Sequence, residues 1–187
     1  GVKLVDGRTL SADFVIAGIG LIANTELAAE AGLDVGNGIS VNEFGQTSDP
    51  NIYAAGDCTD HPSAFLGRRV RLESVQNAME QGRNVARNLV GNTEPYAMVP
   101  WFWSDQYDLK LQMVGLSAGY EQLVLRGNPD TERSFAAFYL KGDKLIAADA
   151  VSKPQDFMMA KKLVAEGKTV SAAQLADPEV PLKSLLD

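Results

Sequence analysis

The stretch from Thr47 to Asp57 carries the most chemical information in the sequence. Its apolar residues predict a buried strand over residues 51–55 that ends at Gly56 and Asp57. Gly56 lacks a Cβ, so a ligand can approach the backbone closely there. Asp57 would place a carboxylate at the carboxyl end of the strand, where open α/β sheets bind ligands and where it can accept hydrogen bonds from sugar-like hydroxyls. We therefore predict a ligand site here, in preference to a turn that Asp57 merely caps.

Two glycines offer a second candidate contact. The stretch from Gly18 through Gly20 to Ala23 fits the G-x-G-x-x-G/A pattern of dinucleotide-binding turns. A complete turn of this kind opens a crossover helix, whereas the helix predicted around residues 27–31 is short. The glycines could instead let backbone segments pass closely. We favour an intermediate interpretation, in which Gly18 and Gly20 lie beside a nucleotide without cradling its pyrophosphate.

A long helix is predicted over roughly residues 73–90, because apolar residues from Val75 to Leu89 recur at helical spacing. The first turn of a helix has free N–H groups and a partial positive charge, which favour an anion by up to about 2 kcal/mol. Glu73, Ser74 and Val75 are therefore candidate ligand contacts. The alternative is a plain first helical turn.

The elements that would position these residues fall into two parts, with a boundary near residue 95. The first part has the α/β pattern: a hairpin around Asp6-Gly7, short strands at 13–17 and 39–41, a loop over 59–71 with a solvated His61, and the long helix. The second part has the pattern of an α+β domain with an antiparallel sheet. Its predicted strands cover 109–114, 122–125, 135–140 and 145–151, and its predicted helix 155–166, before an extended tail at 177–181.

Composition narrows the function. The 187 residues include 17 Lys and Arg against 24 Asp and Glu, a net charge of −7, which disfavours a nucleic-acid partner. No apolar run is long enough to predict a membrane span, and we expect a cytoplasmic protein. Cys58 is the only cysteine, so redox chemistry would need a bound cofactor. We predict no catalytic side chain and no metal ligand.

Residues 47–57 also resemble the second flavin motif of flavoproteins with two dinucleotide-binding folds. Together with three further stretches, they make the chain similar to the C-terminal half of FAD-dependent ferredoxin reductases of the oxygenase-coupled type. These stretches are VIAGIGLIANTEL at 15–27, RLESVQNA at 71–78 and PWFWSDQY at 100–107. The family usually has Pro where this chain has Ala23. The chain opens in a strand pair without Met, and we expect it to be a piece of a longer protein.

The resemblance implies a domain organisation and a function. Residues 1–95 would be the end of an NAD-binding domain plus the returning part of an FAD-binding domain, and residues 96–187 a C-terminal reductase domain of the dimerisation type. The whole protein would use FAD to reduce a [2Fe-2S] ferredoxin with NADH, for a cytochrome P450 or an aromatic-ring dioxygenase. We expect this chain alone to be inactive.

The resemblance also implies residue roles. Gly56, Asp57 and the Val75 backbone would contact FAD, and Trp103 would lie against the isoalloxazine while Trp101 packs in the core. Glu73 would lie near the nicotinamide or simply begin the helix. A patch of arginines would dock the acidic ferredoxin, unless these residues form a charge-balanced surface. The patch comprises Arg68, Arg69, Arg71, Arg83 and Arg87.

Two other functions stay open on the sequence. One is a different FAD- and NADH-dependent oxidoreductase of the same architecture. The other is a binding or assembly module without a cofactor, in which the flavin motifs are inherited scaffold.

Overall fold

The structure is a computed structural model that describes residues 1–186. Residues 1–95 contain β1 (Val2–Lys3), β2 (Thr9–Leu10), α1 (Glu26–Glu30), β3 (Ile39–Ser40), β4 (Thr59–Ser63), β5 (Arg68–Val70) and α2 (Val75–Leu89). The rest contain β6 (Trp101–Gln106), β7 (Leu109–Gly115), β8 (Gln122–Arg126), β9 (Phe135–Lys141), β10 (Lys144–Val151), α3 (Pro154–Ala165), α4 (Ala172–Ala176) and a 3-10 helix (Leu182–Leu185). None of the helices described is both long and apolar enough to cross a membrane.

The predicted antiparallel sheet of the second part is confirmed. It has five strands in the order β6-β7-β10-β9-β8, and every neighbouring pair is antiparallel. The sequence predicted four of these strands but not β6, because WFWSDQ alternates poorly between apolar and polar residues. One face of the sheet packs on α3 through Phe138, Leu140 and Leu163, which are almost fully buried. This burial gives the second part a core of its own.

The C-terminal segment is held by a buried arginine. Arg126 donates hydrogen bonds to four backbone carbonyls, those of Leu175, Asp177, Pro178 and Val180. The prediction of an extended tail at 177–181 is wrong, because the segment forms a turn in which the Val180 N–H donates to the Asp177 carbonyl, and it is followed by the 3-10 helix. Neither α4 nor the 3-10 helix was predicted, because both are shorter than two helical turns and leave little periodic signal.

In the first part, β3, β4 and β5 form a small sheet in which β3 runs parallel to β4 and β4 antiparallel to β5. The prediction of a loop over residues 59–71 is therefore wrong, since most of this segment is the β4–β5 hairpin. The strand was not predicted because the sequence of β4, TDHPS, has low strand propensity. Pairing holds it in place, because Ile39 and Val41 donate to the carbonyls of Cys58 and Asp60.

Two predicted strands do not form. Residues 13–17 are exposed and irregular, and in residues 1–186 no strand pairs with them, whereas a strand needs a partner. Residues 51–55 have only an isolated bridge, between Gln46 and Tyr53. The Thr47 hydroxyl donates to the carbonyls of Asp49 and Ile52, which closes a tight loop where an extended strand was expected.

Helix α2 begins at Val75, two residues after the predicted start, and buries mainly a different face from the predicted one. The apolar stripe that predicted it is largely exposed: Val75 is 55%, Met79 50% and Leu89 60% accessible. The buried face carries Val85 and four amide side chains, those of Gln76, Asn77, Gln81 and Asn84. Periodicity thus located the helix, but not the side that packs within this chain.

Candidate functional site

The turn that carries Asp57 lies directly before β4. Gly56 has a φ of +90°, a conformation that favours glycine. The Gly56 N–H donates to Gln81 Oε1 at 2.7 Å, and the Thr59 hydroxyl lies 2.9 Å from the same oxygen. The turn is therefore held against α2. Asp57 itself is exposed, and within residues 1–186 its carboxylate makes no hydrogen bond or ion pair.

The N-terminal end of α2 has an ordinary cap and two free amides. Ser74 is the N-cap, and its side chain accepts a hydrogen bond from the Asn77 N–H. In the part of the chain that the structure describes, the N–H groups of Val75 and Gln76 have no acceptor, as expected for a first turn. This helix end can therefore donate to an anionic or carbonyl-bearing ligand.

Arg71 connects the Asp57 turn to the start of α2. Its Nη1 lies 2.6 Å from Glu73 Oε1 and 3.4 Å from the Asp57 carbonyl oxygen. The Arg71 side chain is 11% exposed, so most of its surface is buried within the chain. Glu73 thus pairs with Arg71, and Arg71 is not free to dock a partner as predicted.

A cleft of about 220 Å³ opens between the start of α2 and the sheet of the second part. Phe102 lines it, on the sheet face opposite Trp101 and Trp103, whose rings lie 5.4 Å apart. Trp101 also packs against Phe157 of α3, as predicted for a core residue. The structure thus brings Glu73 and Ser74 into the cleft but not Trp103, which lies on β6 and is partly exposed. The lining residues are Leu72, Glu73, Ser74, Pro100, Trp101, Phe102, Met113, Gly115 and Leu116.

Gly18 and Gly20 lie in an exposed, irregular segment between β2 and α1. The position of a Cβ at either glycine has no neighbouring heavy atom within 4 Å. Helix α1 begins only at Glu26 and is one turn long. The structure therefore shows no helix N-terminus at this turn.

The exposed arginines flank one segment. A cleft of about 440 Å³ includes Arg68 and Arg69, and a second of about 520 Å³ includes Arg83 and Arg87. Both clefts share residues 95–97 as a wall. Three of these arginines pair with carboxylates, namely Arg69 with Asp60, Arg83 with Glu80 and Arg87 with Glu94.

The prediction of a solvated His61 is wrong. His61 is 3% exposed, and its ring meets that of Tyr96 edge to face at 5.5 Å. Burial lowers the pKa of His61 from its usual 6.5. Burial also raises the pKa of Tyr96 to about 12, with a contribution from the Glu80 charge. Both groups are therefore neutral at pH 7 and act in packing.

Sequence reasoning missed the buried amides of α2, although they leave a signal. Asn77, Gln81, Asn84 and Asn88 stand at spacings of four, three and four residues, which is the period of one helix face. All four are uncharged amides, and Glu80, Arg83 and Arg87 lie between them. An uncharged amide stripe of this kind indicates a face that bonds to backbone groups, as Gln81 and Asn84 do.

Comparison with known protein families identifies both parts. Residues 1–82 match the pyridine nucleotide-disulphide oxidoreductase family, and residues 101–186 match the reductase C-terminal family. The class is therefore that of the pyridine nucleotide-disulphide oxidoreductases that carry this reductase domain. Within that class the chain is similar to ferredoxin reductases of the putidaredoxin reductase type, as the following relatives show.

The chain is 49% identical to putidaredoxin reductase CamA of Pseudomonas putida, over 97% of this chain and 43% of that protein. It is 46% identical to the ferredoxin reductase subunit of the 5,5'-dehydrodivanillate O-demethylase of Sphingobium sp., over 99% of this chain and 45% of that protein. A solved structure, the ferredoxin reductase for the CYP199A2 system of Rhodopseudomonas palustris, superposes with a TM-score of 0.92 at 46% identity, covering 98% of this chain and 45% of that one. The chain thus spans less than half the length of these relatives.

Proposed function

We propose that the protein containing this chain transfers electrons from NADH through FAD to a [2Fe-2S] ferredoxin, and thereby serves a cytochrome P450 or a ring-hydroxylating dioxygenase. The observation that carries the proposal is the free Asp57 carboxylate on a turn hydrogen-bonded to α2, in a chain nearly half identical to putidaredoxin reductase. NADH is a cytoplasmic coenzyme, and the cytoplasm is the proposed compartment.

The donor and acceptor groups at this site fit FAD. Among residues 1–186 the Asp57 carboxylate has no partner and could accept from the ribityl hydroxyls, and the N–H groups of Val75 and Gln76 have no acceptor there and could meet the N1/O2 edge of the flavin ring. FAD, when bound, accepts a hydride from NADH and releases the electrons singly to an iron–sulfur cluster. The positive end of α2 would stabilise negative charge on the ring and so favour its reduction.

The proposed domain organisation has residues 1–95 as the end of the NAD-binding domain plus the returning part of the FAD-binding domain. Residues 96–187 are then the reductase domain, whose Phe102 and Trp103 are exposed aromatic surface near the cleft. The outward apolar stripe of α2 and exposed residues such as Ile16, Ile19 and Ile22 support this proposal. Apolar surface of this extent is covered in most folded proteins. The part of each relative that lies outside the matched region is a candidate to cover it.

The proposed ferredoxin contact is the surface on either side of residues 95–97, which we name the arginine surface: Arg68, Arg69, Arg83 and Arg87. A solved complex of putidaredoxin reductase with putidaredoxin superposes with a TM-score of 0.89 at 48% identity, covering 97% of this chain and 43% of that one. Arg69, Arg83 and Arg87 already pair with carboxylates of this chain, so an acidic partner would bind by replacing those carboxylates and by pairing with Arg68.

The test is purification of the full-length protein, release of its flavin by denaturation and chromatographic identification as FAD. The protein is then assayed for NADH oxidation with a panel of [2Fe-2S] ferredoxins, with ferricyanide as a partner-independent acceptor. We expect stoichiometric FAD and faster NADH oxidation with at least one ferredoxin. A protein that binds no flavin, or that reduces ferricyanide but none of the ferredoxins, would contradict the proposal.

A further inference from the structure

We propose that Gln81 is a positioning residue that fixes the Asp57 turn relative to the N-terminal end of α2, and that FAD affinity depends on this link. The inference rests on the proposed function and adds a residue to it. Gln81 is 1% exposed, so it does not reach a ligand at the surface. Its effect on the ligand must pass through the groups that it holds.

The link is made by a single oxygen. Gln81 Oε1 accepts from the Gly56 N–H at 2.7 Å and lies 2.9 Å from the Thr59 hydroxyl oxygen. The Thr59 hydroxyl oxygen is also 2.8 Å from the Gly56 carbonyl oxygen. The hydroxyl has one proton, which it donates to Gln81 or to Gly56, and either hydrogen bond holds the same turn together. Gly56 is buried, and without Gln81 its N–H would lose its acceptor among residues 1–186. An unsatisfied buried donor is costly, so the turn would shift to find another partner.

Packing supports the same register. A Cβ added at Gly56 would lie 3.7 Å from the Ala78 Cβ, so Gly56 faces Ala78 across a space of about one methyl group. Ala78 and Gln81 are three residues apart and share one helix face. The helix thus faces the turn with a methyl group at one point and holds it with a hydrogen-bond acceptor at the next.

This arrangement matters because the proposed ligand contacts belong to both elements. Asp57 follows Gly56 in the turn, whereas the free amides of Val75 and Gln76 belong to α2. A single ligand can use both sets of groups only if their separation is fixed before binding. When supporting contacts are removed, binding has to reorder the turn, which lowers affinity.

The experiment compares variants of the full-length, FAD-loaded protein. Gln81→Met removes the acceptor at similar length, and Gln81→Glu keeps an oxygen in the same place. Asn84→Leu is the matched control, because Asn84 is a buried amide on the same helix that donates to the Glu94 carbonyl instead. The readouts are the FAD dissociation constant, the flavin reduction potential and the melting temperature of the apoprotein.

We expect Gln81→Met to weaken FAD binding about 10- to 100-fold and to shift the reduction potential. Asn84→Leu should weaken binding less than about threefold even where it lowers the melting temperature. Gln81→Glu should recover part of the affinity, because it restores the acceptor oxygen but buries a carboxyl group. Equal weakening by Gln81→Met and Asn84→Leu would reduce Gln81 to a structural role and overturn the inference. So would binding by Gln81→Met within twofold of the parent protein.

If Gln81→Met does not fold, the variant Thr59→Val tests the inference instead. It removes only the hydroxyl that shares the turn, and we expect about threefold weaker FAD binding; unchanged binding overturns the inference. Absence of FAD binding in the parent protein would overturn the proposed function and this inference together. Binding by the parent protein with no effect of the variants overturns this inference alone.

Discussion

The hydroxyl of Tyr96 donates a hydrogen bond to Asn77 Oδ1 at 3.1 Å, which fastens the segment between the two parts of the chain to the first turn of α2. Asn77 is fully buried, and its Nδ2 donates to the Leu72 carbonyl. One amide thus joins the connecting segment, the helix and the chain that leads into the helix. On the other side of Tyr96 lies the buried ring of His61.

This burial of His61 predicts acid lability. Its folded-state pKa is lowered by burial, so below about pH 6.5 the unfolded state binds a proton that the folded state refuses. The contribution of His61 to stability should therefore be constant above that pH and fall by up to about 1.4 kcal/mol per pH unit below it. The nearby charges, Asp60 and Arg69, act in opposite directions and more weakly than burial.

Urea unfolding at pH 8 and pH 5, for the parent protein and for His61→Phe, measures this effect. We expect His61→Phe to lose less stability on acidification. His61→Gln is the polar control and should behave like His61→Phe in its pH dependence. Identical pH dependence in the parent and both variants would show that other groups cause the acid lability.

Asp57→Ala in the full-length protein should weaken FAD binding by one to two decades. The reason is the loss of a charge-assisted hydrogen bond, which contributes about 1.5–3 kcal/mol. Asp57→Asn keeps a hydrogen-bond acceptor without the charge, so its FAD affinity should lie between those of the parent protein and Asp57→Ala. Flavin occupancy after extensive dialysis measures the effect, and full occupancy in Asp57→Ala would remove Asp57 from the site.

Reversing two charges of the arginine surface should separate docking from flavin reduction. The double variant Arg83→Glu, Arg87→Glu should slow ferredoxin reduction about tenfold or more at low salt, with ferricyanide reduction by NADH nearly unchanged. Stability should change little, because the pairs of both arginines are exposed. Arg133→Glu is the control, since Arg133 forms an exposed pair with Asp108 on the second part. Equal slowing with both acceptors, or no salt dependence with ferredoxin, would argue against this surface.

The sequence predicted the second part far better than the first. Strands β7 to β10 and α3 could be located because each buries an alternating or helical stripe within the chain itself. Residues 13–17 and the apolar stripe of α2 have equally clear patterns, but within residues 1–186 residues 13–17 and most of the stripe are uncovered, with Val85 as the buried exception. The periodicity of a sequence shows that one face of an element is apolar. It does not show which other segment packs against that face. The Asp57 motif was found by resemblance, whereas its support by Gln81 depends on a contact 25 residues away along the chain.

The 187-residue chain produced alone should be partly folded and should bind FAD weakly. The second part should fold, because its core of strongly buried residues, including Phe138, Leu145 and Leu163, lies within residues 101–186. The first part should exchange its amide hydrogens rapidly over residues 11–25, which have no regular structure and are mostly exposed. FAD should bind weakly, since Asp57 and the α2 amides meet only the ribityl and ring portions, and Gly18 and Gly20 are not followed by a helix N-terminus that could hold the pyrophosphate. Hydrogen exchange with mass spectrometry and titration with FAD test these expectations, and NADH–ferricyanide turnover should be absent. Stoichiometric yellow protein that oxidises NADH would show that residues 1–95 hold the whole dinucleotide after all.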